Sequence, residues 1–391
     1  MDLRGKKILL GVTGGIAAYK ACELLRILQK RGAEVRVAMT SKATKFVGQT
    51  TFAALSNFPV YLETAAADSK PFQHIDYPRW ADIYIVAPCS ATSLARFASG
   101  NGEEPVSLCF LAMDGEKWIV PAMNSVMYKS KAVQRNLEML RSWNVKVIEP
   151  ASGYLACGEE GIGKFPEPEY IADEIEFNGL NRDKTLLITI GRTEESIDPV
   201  RYISNKSSGK TGAAIAKEFL RNGWRVIAVC GPMEAKLPHQ CEKIDVKNAE
   251  GMNSAVLKMQ KQANIIVHCA AVADYRPKQI ATQKVKNSRA MQKLELEKTQ
   301  NILKNTIKNK ISGQKIISFA LETENALENA KKKLDNGGID ILVVNTAASG
   351  KGGFGADEVE YGILTKANGN VKLAYGSKEE LASQLLKEAN V

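Results

Sequence analysis

A cysteine set among glycines and acids is a poor core residue and a good chemical one. Cys157 stands in Ala151-Ser152-Gly153-Tyr154-Leu155-Ala156-Cys157-Gly158-Glu159-Glu160-Gly161-Ile162-Gly163-Lys164, a setting that suits a nucleophile or a proton donor. Neighbouring Glu159 and Glu160 disfavour a thiolate, which favours the protonated donor. Four glycines and two prolines in residues 151–168 predict a mobile flap rather than a regular element. Asn124, in Pro121-Ala122-Met123-Asn124-Ser125-Val126-Met127, offers an amide to a substrate carboxylate or caps the next helix. A lone histidine is more often structural, but His74, two residues before Asp76, is a candidate for handling a proton.

Other spacings suit phosphate chemistry. Gly11-Val12-Thr13-Gly14-Gly15 has glycines at its first, fourth and fifth positions, where a dinucleotide loop needs the first, third and sixth. The following strand ends in Met39-Thr40-Ser41 with no acid to hold a ribose. Hydroxyls and backbone N–H groups are offered instead, which suits a monophosphate at a helix N-terminus; a tight turn without ligand is the alternative. Ser90-Ala91-Thr92-Ser93 is a small, hydroxyl-rich stretch that a planar ring can approach. Ser204-Asn205-Lys206-Ser207-Ser208-Gly209-Lys210-Thr211 misses the nucleotide-binding P-loop because Ser204 stands where that loop needs glycine, yet it remains an anion site or a helix cap. Upstream Arg201 is placed for a phosphate or carboxylate. His268-Cys269-Ala270-Ala271-Val272-Ala273-Asp274 is small enough for close backbone contact and ends in an acid suited to a ribose or a hydrated metal ion. Lys284-Val285-Lys286 is solvated surface unless a triphosphate lies nearby.

The elements that must position these residues repeat. Lys6–Gly11 is an apolar strand, followed by a helix through Ala18, Cys22, Leu25 and Leu28 and the strand Val35–Met39. Lys184–Gly191, a helix around Gly212–Leu220 and the strand Arg225–Val229 repeat that βαβ order. Further buried strands are expected at 83–87, 118–120, 146–148, 265–267, 316–319 and 339–344. The fold class is therefore α/β, with two doubly wound, mostly parallel-sheet Rossmann-like domains, 1–180 and 181–391, divided in the polar stretch 176–183. Ligands of such sheets lie beyond the carboxyl ends of the strands.

Composition narrows the partners. With 391 residues, 45% hydrophobic and 25% charged, the chain can bury large cores and is not a disordered tail. No apolar run approaches the roughly 20 residues needed to span a bilayer, so a cytoplasmic protein without a membrane partner is expected. Seven cysteines without a C-x-x-C pair argue against a disulfide framework or a zinc cage. The formal charge of +10 is concentrated in residues 183–391, which carry 32 Lys+Arg against 23 Asp+Glu. Those cations are scattered between apolar segments, which favours phosphorylated small molecules over nucleic acid.

In the first half, G-V-T-G-G-I-A-A-Y-K (11–20), H-I-D with W-A-D (74–82), P-A-M-N-x-x-M (121–127) and S-G-Y-L-A-C-G-E-E-G-I-G-K (152–164) closely resemble the flavin-dependent phosphopantothenoylcysteine decarboxylases. The resemblance implies FMN as cofactor, held by Gly14, Gly15, Ser41, Ser90 and Ser93. It also implies that Asn124 fixes the substrate carboxylate, that His74 orients or deprotonates the thiol, and that Cys157 donates a proton from a segment closing over the substrate. The family's A-N-T is Ala91-Thr92-Ser93 in this chain.

In the second half, D-P-V-R-Y-I-S-N-x-S-S-G-K (198–210), A-A-V-A-D-Y-R-P (270–277), K-V-K (284–286), F-A-x-E-T (319–323) and F-G-A-D-x-x-E (354–360) resemble phosphopantothenate–cysteine ligase. CTP as co-substrate and Mg2+ are thereby implied. Asn205 would hold an acyl cytidylate and Lys284 neutralise developing charge. Ala270, Asp274, Gln300, Asn301, Ile302, Leu303, Phe319 and Lys333 would meet the nucleotide, with Asp274 also on the metal. The chain departs from the ligase pattern at Asn287, at Thr299-Gln300-Asn301 and at Thr346.

In this order the halves resemble the fused bacterial enzymes that ligate L-cysteine to 4′-phosphopantothenate and decarboxylate the product to 4′-phosphopantetheine. The resemblance further implies a homo-oligomer, with trimers of flavin domains joined by ligase dimers into a dodecamer. A flavoprotein that binds a partner without turnover is the non-enzymatic alternative, against which the joint presence of Asn124, Cys157 and Lys284 counts. An NAD-dependent reductase fails on the glycine spacing and on the acid missing after the second strand.

Overall fold

The structure is a computed structural model and describes residues 3–62, 72–177, 179–180, 182–285, 294–322, 330–331, 333–334, 338–346, 358–366 and 373–390. Lys286, Asn287, Thr323, the 354–357 motif and the side chain of Thr346 lie outside these residues. The chain divides into two compact units, Met1–Asn178 and Gly179–Val391.

In the first unit, β1 (Lys7–Val12), β2 (Glu34–Met39), β3 (Ile83–Cys89), β4 (Glu116–Pro121) and β5 (Lys146–Val147) form a parallel sheet in the order β2-β1-β3-β4-β5. Both faces are covered. Ile8, Leu10 and Val12 point into one core with the helix Ala18–Lys30, whereas Leu9 points into the other with Leu94, Phe97 and Phe110. With alternate residues entering two covered cores, the inner strands β1 and β3 are apolar along nearly their whole length. The helix buries Ala18, Ala21, Leu24, Leu25, Ile27 and Leu28 on one stripe, and each buried leucine or isoleucine contributes about 1.5–3 kcal/mol. A second pair of strands, β6 (Ala151–Tyr154) and β7 (Glu160–Lys164), is antiparallel. The 151–168 segment, expected to be an irregular flap, is thus largely a β-hairpin. Its glycines serve the hairpin: Gly163 takes φ +134, and a Cβ there would stand 2.1 Å from the Met123 carbonyl oxygen. That carbonyl belongs to the loop on which the hairpin lies, where the Met123 N–H donates to the Gly163 carbonyl at 3.0 Å.

The second unit holds β8 (Lys184–Ile190), β9 (Glu194–Ser196), β10 (Tyr202–Ser204), β11 (Trp224–Cys230), β12 (Glu242–Asp245), β13 (Ile265–His268), β14 (Tyr275–Pro277), β15 (Leu296–Lys298), β16 (Lys315–Glu322), β17 (Ile341–Thr346), β18 (Glu358–Thr365) and β19 (Ala374–Ser377). Eight of them form one sheet, β12-β11-β8-β13-β16-β17-β18-β19. It is parallel through β17 and antiparallel at β18 and β19. The helix Lys210–Arg221 buries Ile215, Ala216, Phe219 and Leu220 and stops at Asn222-Gly223, where the glycine takes φ +78. Among the described residues no helix is long and apolar enough to cross a membrane.

Candidate active sites at two topological switch points

In each sheet the strand order reverses beside the first strand, between β1 and β3 in one unit and between β8 and β13 in the other. Loops leaving such neighbours part to opposite faces and open a crevice.

In the first unit that crevice is a cavity of about 520 Å³, within the range of small-molecule sites. Thr13, Gly14 and Gly15 from the β1 loop, Pro88 and Ser90 from the β3 loop, and Ala122, Met123 and Asn124 from the β4 loop line it. The hairpin adds Tyr154, Leu155, Ala156, Cys157, Gly163 and Lys164. Thr13 joins two of these loops: its buried hydroxyl donates to the Pro88 carbonyl at 2.8 Å and accepts from the Ser90 N–H at 2.9 Å. Gly14 packs against the residues after β2, since a Cβ there would stand 2.6 Å from the Lys42 Cβ. Around Gly15 nothing lies within 4 Å of where a Cβ would stand, which leaves its backbone open to a ligand.

The hairpin tip brings the chemistry together. The Asn124 Oδ1 accepts from the Val126 N–H at 2.8 Å and caps the helix Ser125–Lys129, while Nδ2 donates to the Glu159 carboxylate at 2.9 Å and to the Cys157 sulfur at 3.3 Å. The amide oxygen is therefore the helix cap, and the N–H edge of the same side chain faces the hairpin tip. Cys157 is exposed, whereas Cys89, Cys109, Cys230 and Cys241 are buried and Cys22 and Cys269 half-buried. Burial pushes the Cys89 thiol upward, with Glu104 adding to the shift, and pushes Cys269 up to about 12 against the opposing pull of Lys378. Neither is a ready nucleophile.

Three of the residues expected at this site stand elsewhere. Ser41 is exposed and outside the lining. Ser93 is buried, its N–H and hydroxyl meeting Ser90 and its hydroxyl reaching Glu104 at 3.4 Å. His74 lies in the helix Gln73–Trp80, which packs against the helix Pro105–Ala112, and is not part of the lining. Sequence reasoning passed over Thr13 and Lys20. Lys20 lines the cavity and pairs with Glu167 at 3.1 Å; its place in the first turn after the glycine loop was the available signal.

The second crevice is floored by threonines. Thr189 accepts from the Cys269 and Ala270 N–H groups at 3.2 Å, Thr193 accepts from the Ala273 N–H at 2.9 Å, and the Thr299 hydroxyl donates to the Ala273 carbonyl at 2.6 Å. Asn205 reaches the same loop, its amide donating to the Ala271 and Val272 carbonyls at 3.3 and 3.1 Å. Asn205, Ala270 and exposed Asp274 are thus gathered beyond β8 and β13. Asn301 caps the helix Ile302–Lys308 through Lys304 N–H at 2.8 Å. Ile302 is buried in the core, Leu303 packs partly against a second cluster, and Gln300 is exposed. Phe319 is half-buried on β16, and Lys333 and Lys284 are exposed.

Arg201 does not present its guanidinium as an open phosphate ligand. It pairs with Asp198 through Nε at 2.9 Å and Nη2 at 2.6 Å and also donates to the Val285 carbonyl. Asp198 also accepts from the Val200 and Arg201 N–H groups at 2.8 Å and from the Val285 N–H at 3.2 Å. Desolvation would raise this carboxyl, but these bonds hold it well below the ordinary carboxylate range. The pair thereby fixes the backbone next to Lys284. Among the described residues no group of three His, Cys, Asp or Glu side chains could cage a metal ion.

Comparison with known proteins separates the units at the same place. Residues 1–178 match a protein-family model described as Flavoprotein, and residues 181–390 match that of the DNA/pantothenate metabolism flavoprotein C-terminal domain. The chain is 38% identical over 397 residues to the coenzyme A biosynthesis bifunctional protein CoaBC of Haemophilus influenzae, covering 99% of this chain and 98% of that protein. It is 39% identical over 398 residues to the protein of the same name from Escherichia coli, covering 99% and 97%. Among solved structures, the C-terminal domain of a coenzyme A biosynthesis bifunctional protein CoaBC is 34% identical with a TM-score of 0.45, covering 53% of this chain and 94% of that one. A PPC decarboxylase mutant complexed with pantothenoylaminoethenethiol is 27% identical with a TM-score of 0.40, covering 44% and 97%.

Proposed function

The chain belongs to the family of bifunctional coenzyme A biosynthesis proteins and is a phosphopantothenoylcysteine decarboxylase and phosphopantothenate–cysteine ligase, and we propose that it divides these activities between its units, the first decarboxylating and the second ligating. The observation that carries this division is the hairpin tip, which sets an exposed thiol and a capped amide over the glycine-loop cavity of the first unit.

The first cavity suits FMN. The open backbone at Gly15, the hydroxyl of Ser90 and the ammonium groups of Lys20 and Lys164 are the groups that would hold it. When bound, FMN would supply two-electron oxidation of the substrate thiol to a thioaldehyde, which can take up the electron pair left as CO2 departs, and would return the electrons afterwards. Asn124 binds the substrate carboxylate through its N–H edge until CO2 leaves. Cys157 then donates its proton to the carbon that lost CO2. His74 takes part only if a neighbouring copy brings it to the cavity, which fits the trimeric arrangement we infer for the flavin units; mass measurement in solution tests that trimer and the dodecamer built from it.

In the second unit the carboxylate of 4′-phosphopantothenate attacks the α-phosphate of CTP, forming an acyl cytidylate and releasing pyrophosphate. The amine of L-cysteine then displaces CMP. Anion meets anion in the first step, so Lys284, steadied through Val285, offsets the repulsion. The threonine-braced loop 270–274 offers backbone to the nucleotide. Mg2+ fits Asp274 only as one carboxylate beside the nucleotide's phosphates and water, a common arrangement for this ion. Incubation of the purified protein with 4′-phosphopantothenate, L-cysteine and CTP, followed by mass spectrometry, tests the whole reading. Yellow protein, CMP release and 4′-phosphopantetheine are expected; AMP release from ATP alone would remove CTP, and a colourless protein inert with added FMN would remove the rest.

A further inference from the structure

The N–H edge of Asn124 is already occupied by groups of the protein itself. One N–H donates to the Glu159 carboxylate at 2.9 Å and the other meets the Cys157 sulfur at 3.3 Å. The amide cannot turn over, because its oxygen is held by the Val126 N–H at 2.8 Å. Glu159 lies in the turn between β6 and β7, where its carbonyl accepts from the Leu155 N–H at 2.8 Å, and its carboxylate also lies 3.8 Å from the Cys157 sulfur. Both side chains of the tip therefore converge on one amide.

A substrate carboxylate held by Asn124 needs the same edge. Two carboxylates at one amide repel, and a charge-assisted bond is not given up to a neutral group. We propose that Glu159 occupies the place of the substrate's carboxylate on the Asn124 amide, and that it is a positioning residue which competes with that carboxylate and is displaced by it when substrate binds. Displacement also takes Glu159 from Cys157 and leaves the thiol facing the reacting carbon. Once CO2 has left, the product has no anion at that point, and Glu159 returns to the amide and assists release. This inference rests on the decarboxylase reading of the first unit.

The test uses the full FMN-loaded chain and two thiol-free probes that cannot be oxidised. One is the 4′-phosphopantothenoyl amide of alanine, which keeps the carboxylate; the other is the corresponding ethylamide, which lacks it. Binding is read from the change in flavin absorbance, which reports this site and not the ligase site. Glu159→Gln should bind the alanine probe about tenfold more tightly, since a repelling charge has been removed, and should leave the ethylamide within about twofold. Glu159→Asp, which keeps the charge on a shorter arm, should fall between wild type and Glu159→Gln. An unchanged or weaker affinity of Glu159→Gln for the alanine probe overturns the proposal, as does an equal gain for both probes, which marks a merely loosened tip. If neither probe perturbs the wild-type flavin, the decarboxylase reading itself fails.

Discussion

His268 ends β13 at the second switch point, and burial drives its imidazole down to about 4. Its Nε2 is buried and has no hydrogen-bond partner among the described residues. In the unfolded chain the same ring takes its proton near pH 6.5. The folded value lies below the unfolded one, so the unfolded state binds more protons, and stability is full above about pH 6.5 and is lost as pH falls toward 4. The gap between these values corresponds to at most about 3 kcal/mol, of which about 2 kcal/mol is lost between pH 7 and pH 5. His268→Leu removes the titrating group without breaking a hydrogen bond that the structure shows. Urea unfolding of both proteins at pH 8, 7, 6 and 5, followed through a probe in the second unit, should show wild type losing roughly 2 kcal/mol more than the variant across the lower part of that range. At pH 8 the variant should be no less stable, because leaving a buried ring nitrogen unbonded is itself costly. Parallel stability curves would refute the reasoning, since they would mean that the ring is protonated equally in both states.

Three further outcomes are expected. Cys157→Ser should keep FMN and release CO2 but accumulate the unsaturated enethiol, detected as a product two mass units below 4′-phosphopantetheine; full turnover to the saturated thiol would dismiss the thiol as donor. Gly163→Ala places a methyl into the Met123 carbonyl, so decarboxylation should fall by more than about tenfold through displacement of the tip, with CMP release unaffected. Asp198→Ala should free the Val285 backbone and Arg201 and depress cytidylate formation while leaving decarboxylation intact; equal loss of both activities would point to general misfolding instead.

The inner parallel strands were legible because they are buried on both faces and read as continuous apolar runs, whereas the parallel edge strand β12, Glu242-Lys243-Ile244-Asp245, is mostly exposed and has no such run. β18 and β19 were not, since Glu358-Val359-Glu360-Tyr361 and Ala374-Tyr375-Gly376-Ser377 dilute that signal with polar residues at the sheet's antiparallel edge. The 151–168 hairpin was missed for a different reason. Its glycines read as looseness, whereas Gly163 is there because its backbone must touch another loop at a φ that residues with a Cβ rarely adopt. Cys157 and Asn124 could be found from residue type and neighbours, and the structure adds that they touch. Thr13 and Thr299 carried no such mark, because a threonine beside a strand declares nothing until its hydroxyl is seen bridging two loops. Arg201 shows the opposite error: a cation in a polar loop suggested a ligand contact, but a buried aspartate three residues earlier had already claimed it.

The Thr13 hydroxyl, donor to one side of the first crevice and acceptor from the same side, has a consequence for traffic. The rear wall is stitched, so the gap between the β1 and β3 loops does not widen by hinging. The facing side is the hairpin, which one backbone bond and one tight glycine contact hold to the loop before Asn124. The exposed thiol of Cys157 rides on that hairpin, so any shift of the hairpin that widened the cavity would also carry with it the group proposed to act there.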